Sequence, residues 1–204
     1  MAKPANRREE IVKTAREIFL SKDYEQTTMA EIMKSLNIAK GTIYHYFKSK
    51  EALFEAVIET IVEENISAMK RLIEESNGNA LDKIELLAKK GNISQENDKI
   101  VDQLNNRSND AMHSRLLAAT LMKQAPIYAK VIEQGCKEKL FKTDYPLECA
   151  EVILSAIQFL TDMGIYPWNE ETLKRRIKAF PHIIEQLLQA PSGAFKFLTH
   201  QMNH

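Results

Sequence analysis

Apolar residues recur along the chain at steps of three and four, the spacing of amphipathic helices, and no convincing strand pattern interrupts them. A first helix is predicted over 6–21, with Ile11, Ala15, Ile18 and Phe19 on one face and Arg7, Arg8, Lys13 and Glu17 opposite. Asn6 is its expected N-cap. It should stop near Lys22 and Asp23, with Tyr24 turning back onto the core. A second helix opens at Thr28-Met29-Ala30-Glu31, a capping box in which hydroxyl and carboxylate each satisfy the other residue's amide. Met29, Ile32, Met33 and Leu36 form its inner face. Asn37 falls where a left-handed residue must end the helix, and Ile38 returns to the core. A third helix over 39–47 turns Ile43 and Phe47 inward. Ser49 then caps a long helix whose apolar positions run from Leu53 to Ile73 and end at Asn77-Gly78-Asn79.

Further on, Leu81, Ile84, Leu87 and Ala88 mark a short amphipathic helix ending at Gly91. Residues 91–110 are polar and Asn-rich, a loop with a marginal helix around 99–105. A helix follows over 111–123, and Pro126 is expected to open another, to about 140, because proline favours a first turn. Pro146 opens a strongly apolar helix to about 165, and 170–190 is the last long one, ended by Pro191-Ser192-Gly193. The tail from Ala194 reads as helical or disordered. The fold class is all-α: a three-helix N-terminal head (1–48) joined to a larger helical body (49–204) through the helix that starts at Ser49.

Two short helices crossing through a tight turn make a helix-turn-helix, and the charge distribution supports that reading. The 204 residues carry no net charge, yet 1–50 hold ten basic and six acidic groups, a surplus of four positive charges that the remainder must balance. A basic head on an acidic body suits a polyanion as the head's partner. A hydrophobic fraction of 44% and a charged fraction of 27% are ordinary for a folded soluble domain. Cys136 and Cys149 are too few for a disulfide framework and lack metal-ligand spacing. The N-terminus has no apolar signal region and no run approaches the length of a membrane span, so a cytoplasmic location is expected, without membrane association. No phosphate loop, nucleophile motif or metal-spaced cluster is present, so neither an enzyme nor a cofactor is expected.

The third helix leaves Lys40, Thr42, Tyr44, His45 and Tyr46 on its outer sides, a poor choice for a solvated surface and a good one for meeting phosphates and base edges. Phe19, Tyr24, Thr27-Thr28-Met29, Glu31-Ile32, Ile38, Lys40-Gly41-Thr42-Ile43-Tyr44, Tyr46-Phe47, Ser49-Lys50-Glu51 and Leu53-Phe54 together resemble the DNA-binding head of the TetR family of bacterial transcription regulators. The resemblance covers roughly 7–56. Asp23, Asn37 and Ala39 depart from its usual Gly, Gly and Ser. The Ala39 change removes a helix cap at a cost of about 1 kcal/mol, and Asn37 keeps the left-handed turn.

The resemblance and the residues agree on the contacts. Lys40 and Lys50 are assigned to phosphate, as are the hydroxyls of Thr27 and Tyr46, with Thr28 in the same set. Thr42, Tyr44 and His45 face the major groove, the Thr42 methyl suited to a thymine methyl, and Gly41 lets the backbone come close. Tyr44 has a second placement open, packed under the first helix, and His45 a second as a merely exposed residue. Reading a palindrome needs two heads about 34–36 Å apart, so a homodimer is expected. The helices at 146–165 and 170–190 are the interface candidates, the alternative being that they fill the monomer's own core. The resemblance further implies a repressor released from a palindromic operator on double-stranded DNA when the body binds a small-molecule effector, tilting the helix 49–76. Met112, His113, Leu116, Tyr128, Phe159, Met163, Tyr166 and Trp168 are the expected lining, a set suited to an apolar or aromatic ligand. For each of these the alternative is ordinary core, and for His113 a hydrogen-bonded core histidine. A DNA-binding protein without a ligand, architectural or division-associated, is the alternative function.

Overall fold

The computed structural model describes residues 4–22, 24–91, 110–162 and 168–201. Among these, all regular structure is helical: α1 (Pro4–Ser21), α2 (Met29–Leu36), α3 (Lys40–Tyr46), α4 (Lys50–Glu75), α5 (Ala80–Gly91), α6 (Asp110–Lys137), α7 (Pro146–Thr161), α8 (Glu170–Leu188) and α9 (Phe197–Gln201). The chain divides into two compact units, and along α4 the division falls after Glu63. No helix among the described residues is long and apolar enough to cross a membrane.

In the N-terminal unit the core is an aromatic cluster on an aliphatic bed. Phe19 and Phe54 meet edge to face at 5.1 Å, and Tyr24 lies 4.6 Å from Phe54. Ile11, Ala15, Ile32, Ile43, Phe47 and Leu53 complete it, all nearly solvent-free. The local signals act as expected. The Glu31 amide donates to Thr28 Oγ1 at 3.2 Å and the Thr28 amide to the Glu31 carboxylate at 3.0 Å. Asn37 takes φ 49°, ψ 48°, and the Ile38 amide closes the turn on the Met33 carbonyl. The first helix differs from expectation: it starts at Pro4, so Asn6 lies inside it rather than capping it. Proline's fixed φ and missing N–H fit a first turn.

Thr28→Ala is expected to remove about 1 kcal/mol of stability, read by chemical denaturation. The penalty should be pH-dependent. Hydrogen bonds from Lys22 and then from the Thr28 amide hold the Glu31 carboxyl below its ordinary 4.5. A depressed carboxyl contributes stability above its unfolded value and loses it as pH falls through the folded one. The difference between wild type and variant should therefore narrow below about pH 4.

The C-terminal unit corrects one expectation. Residues 111–123 and 126–140 are not two helices but one, α6, with Pro126 inside it. An internal proline costs about 3 kcal/mol. Here its ring sits on the exposed side, while Ala125, Ile127, Ala129, Val131 and Ile132 keep a buried face continuous past it. Packing of that face outweighs the local penalty. α7 stops at Thr161, short of 165, and packs along α8. The expected loop and marginal helix over 91–110 lie outside the described residues beyond their two ends. The tail is ordered as a turn and α9, which packs on α5 and α8. Glu185, only 6% exposed, holds that turn by accepting from the amides of Gly193 at 2.7 Å and Phe195 at 3.4 Å. Cys136 is half-buried and Cys149 buried, both reduced.

Candidate nucleic-acid interface

Three anchors fix α3. Ile43 is fully buried and Phe47 nearly so, and α2 ends in left-handed Asn37, from which a connection of only a few residues leads into α3. Ala39 occupies the N-cap with no side-chain hydrogen bond, so the amides at that end keep no internal side-chain acceptor. The outward side presents Lys40, Gly41 and His45 exposed, with Thr42, Tyr44 and Tyr46 half-buried.

These side chains brace one another. The Lys40 ammonium lies 5.7 Å from the Tyr44 ring centroid, and His45 meets Tyr46 edge to face at 5.0 Å. Lys48 donates to the Tyr44 carbonyl at 3.1 Å, placing a further cation at the helix end, one that sequence reasoning passed over. Tyr44 is half-buried, intermediate between the two placements expected for it. A Cβ built on Gly41 would meet nothing within 4 Å. Glycine in a helix costs about 0.5–1 kcal/mol relative to alanine. No neighbour inside the protein requires the bare backbone at this position.

Two of the residues assigned to phosphate are engaged within the head. Thr27 is 1% exposed, so in the free protein its side chain is part of the core of the N-terminal unit. Lys50 donates to the Tyr24 carbonyl at 2.8 Å and sits 4.0 Å above the Tyr24 ring. It ties the α4 start to the turn after α1 instead of standing free. Thr28 is exposed but its hydroxyl serves the capping box.

Of the expected effector residues whose side chains are described, Tyr128 alone borders a cavity of the C-terminal unit. His113, 8% exposed, pairs with Asp162 at 2.7 Å, the hydrogen-bonded core histidine of the alternative reading. Leu116 and Phe159 are half-buried, and Trp168 lies under the Arg176 guanidinium at 3.7 Å. Tyr128 does border a cavity, and burial raises its phenol above the ordinary range. The other lining residues of that cavity, aliphatic apart from Phe195, were not singled out by sequence reasoning. Met163, Tyr166 and the Met112 side chain lie outside the described residues. No cluster able to hold a metal ion occurs among the described residues.

Residues 11–57 match the tetR family of bacterial regulatory proteins, and residues 92–183 match the tetracyclin repressor-like C-terminal domain. The chain belongs to the TetR family. The HTH-type transcriptional repressor KstR2 of Mycolicibacterium smegmatis is 39% identical over 57 residues, 28% of each chain. The HTH-type transcriptional regulator UidR of Escherichia coli K12 is 47% identical over 51 residues, 25% of this chain and 26% of that one. These curated relatives are thus matched over about a quarter of their length. Over the whole fold, a TetR-family regulator from Pectobacterium atrosepticum superposes with a TM-score of 0.69 at 16% identity, covering 93% of this chain and 100% of that one. A transcriptional regulator from Cytophaga hutchinsonii gives 0.67 at 22%, covering 89% and 96%. At such identities these two show the TetR fold. The family is one of transcriptional regulators rather than enzymes.

Proposed function

We propose that this TetR-family protein is a dimeric, sequence-specific repressor, released from a palindromic operator by a small, largely apolar ligand. The observation that carries the reading is the surface of α3. Seven residues held from behind by Ile43 and Phe47 turn a lysine, a bare glycine, a threonine methyl, two tyrosines and an imidazole outward. A major groove about 12 Å wide admits a helix, and these groups suit phosphate, backbone approach and base edges in turn. Acting on DNA places the protein in the cytoplasm of a bacterial cell.

Dimerisation is supported by apolar residues on a second side of α7 and α8. Ala150, Leu154, Ile177 and Ile184 fill the unit's own core, while Val152 and Ile183 remain 57% and 56% exposed, with Leu160 and Leu187 beside them. Such a double-sided pair is what a four-helix interface between two copies uses. Ile183→Asp should weaken self-association by about ten- to a hundredfold, because an unpaired carboxylate would be buried at the contact. Sedimentation equilibrium reads it, and a variant that dimerises like wild type excludes this face.

The experiment for the function as a whole is footprinting on the DNA upstream of the protein's own gene, followed by a screen of hydrophobic compounds for release. A protected palindrome that a compound frees establishes the reading. Protection that nothing relieves favours a ligand-independent DNA-binding role, and absence of sequence-specific protection rejects both.

A further inference from the structure

The C-terminal unit contains a cavity of about 50 Å³ bordered by every helix from α5 to α8 and by the C-terminal stretch. Its walls include Ile84 of α5, Ile132 of α6, Ala150 of α7 and Leu188 of α8, closed on one side by Phe195 and Leu198. Every lining side chain is hydrocarbon except that of Tyr128. A water needs roughly 10–15 Å³ of such space and two to four polar partners. The volume is ample for several waters, but the side chains offer one hydroxyl between them. Water is therefore a poor occupant and an apolar guest a good one; an apolar cavity of about 150 Å³ takes up benzene, so a single ring is the upper size here and its entry requires the lining side chains to give way.

Ionised ligands are disfavoured for a separate reason. No side chain with an opposite charge lines the space, and burying an unpaired charge costs far more than an aromatic ring gains. Tyr128 adds one element of selection. No hydrogen bond ties up its hydroxyl among the described residues, so a guest carrying one acceptor or donor has a group to meet, and a second polar group would have none. Phe195 gives the guest an aromatic wall, itself stacked on Phe141 at 5.8 Å and held in place through Glu185.

We propose that this cavity is the effector site and that it takes an uncharged aromatic or hydrocarbon molecule of no more than one-ring size, with at most one hydrogen-bonding group for the Tyr128 hydroxyl. Its role as effector rests on the repressor reading above; occupation of the cavity does not.

Toluene, phenol and benzoate test it on the full chain, by thermal shift and calorimetry. Toluene and phenol should bind and raise the melting temperature, phenol the more tightly, and benzoate should bind at least about tenfold more weakly than toluene. Tyr128→Phe should keep toluene binding and cut phenol binding about 3- to 10-fold, the worth of one hydrogen bond. Ala150→Leu should fill the space and abolish both shifts. Ala88→Leu, at a half-buried lining position, gives the same reading if the Ala150 variant does not fold. Benzoate binding equal to toluene, or undiminished toluene binding in the filled variants, overturns the proposal, as does failure of toluene and phenol to bind. The operator is then assayed separately. If the neutral aromatics bind as described yet leave protein–DNA affinity unchanged, the ligand class stands and the assignment as effector site falls.

Discussion

Replacing Lys40 and Tyr44 together by alanine is expected to lower operator affinity by at least about thirtyfold. One lost phosphate contact and one lost groove contact are each worth about 1–3 kcal/mol. The two losses have different signatures. Lys40→Ala alone should weaken all DNA sequences alike and flatten the dependence of log affinity on log salt by about one, the mark of a counterion-releasing contact. Tyr44→Ala should in addition disturb the placement of Lys40, because the ammonium rests 5.7 Å from that ring. The effects should therefore be coupled and not simply add. Folding should survive both changes. Lys40 is exposed and Tyr44 half-buried, while Ile43 and Phe47, which fix α3 to the core, are untouched. Circular dichroism and sedimentation should match wild type. If the double variant still protects the operator, α3 does not enter the groove. Lys50→Ala, by contrast, should reduce stability more than the salt slope, since its ammonium is bound to the Tyr24 carbonyl.

That contrast shows where a sequence is readable and where it is not. Thr28, Glu31 and Asn37 act over three or four residues of chain, so their spacing alone dictated the capping box and the left-handed turn that orient α3. The burial of Thr27 and the contact of Lys50 with Tyr24, 26 residues away, come from packing, which no local pattern encodes. Pro126 is the same lesson in a helix. The local signal for a start was real, but the apolar face from Ala125 to Ile132 continues through it and prevails. The cavity was the least accessible feature. Which of many aliphatic side chains border a void depends on how four helices and a tail fit together, and Ile84 or Leu188 carries no mark of it. Glu185 did leave a trace. It stands four residues after buried Pro181 and between Ile184 and Leu188, where an apolar residue would be routine. An acid on that face needs donors, and the Gly193 and Phe195 amides supply them.

Gly135→Ala is expected to destabilise the protein by about 2–3 kcal/mol, the upper part of the range for overpacking a close-packed core. The residue lies inside α6, where alanine by itself would be better than glycine by about 0.5–1 kcal/mol, so the effect runs against helix propensity. A Cβ there would stand 2.2 Å from Phe141 Cδ2, 2.4 Å from Cε2 and 3.0 Å from the Ala80 Cβ. The ring has little room to move. Phe141 is 4% exposed and stacks on Phe195, and its own amide donates to the Gly135 carbonyl at 3.2 Å. At 204 residues the loss should lower the melting temperature by roughly 4–12 °C. A melting temperature within a degree of wild type would mean that the ring relaxes freely and the contact is not a constraint. The double variant Gly135→Ala/Phe141→Ala separates the two cases. If the clash is the cause, removing the ring costs less in the alanine background than in wild type, where a buried Phe→Ala change costs about 3–5 kcal/mol. Because Phe141 presses on Phe195, which walls the cavity, Gly135→Ala should also weaken toluene binding below its melting range, tying the tightest packing in the body to the site proposed for its ligand.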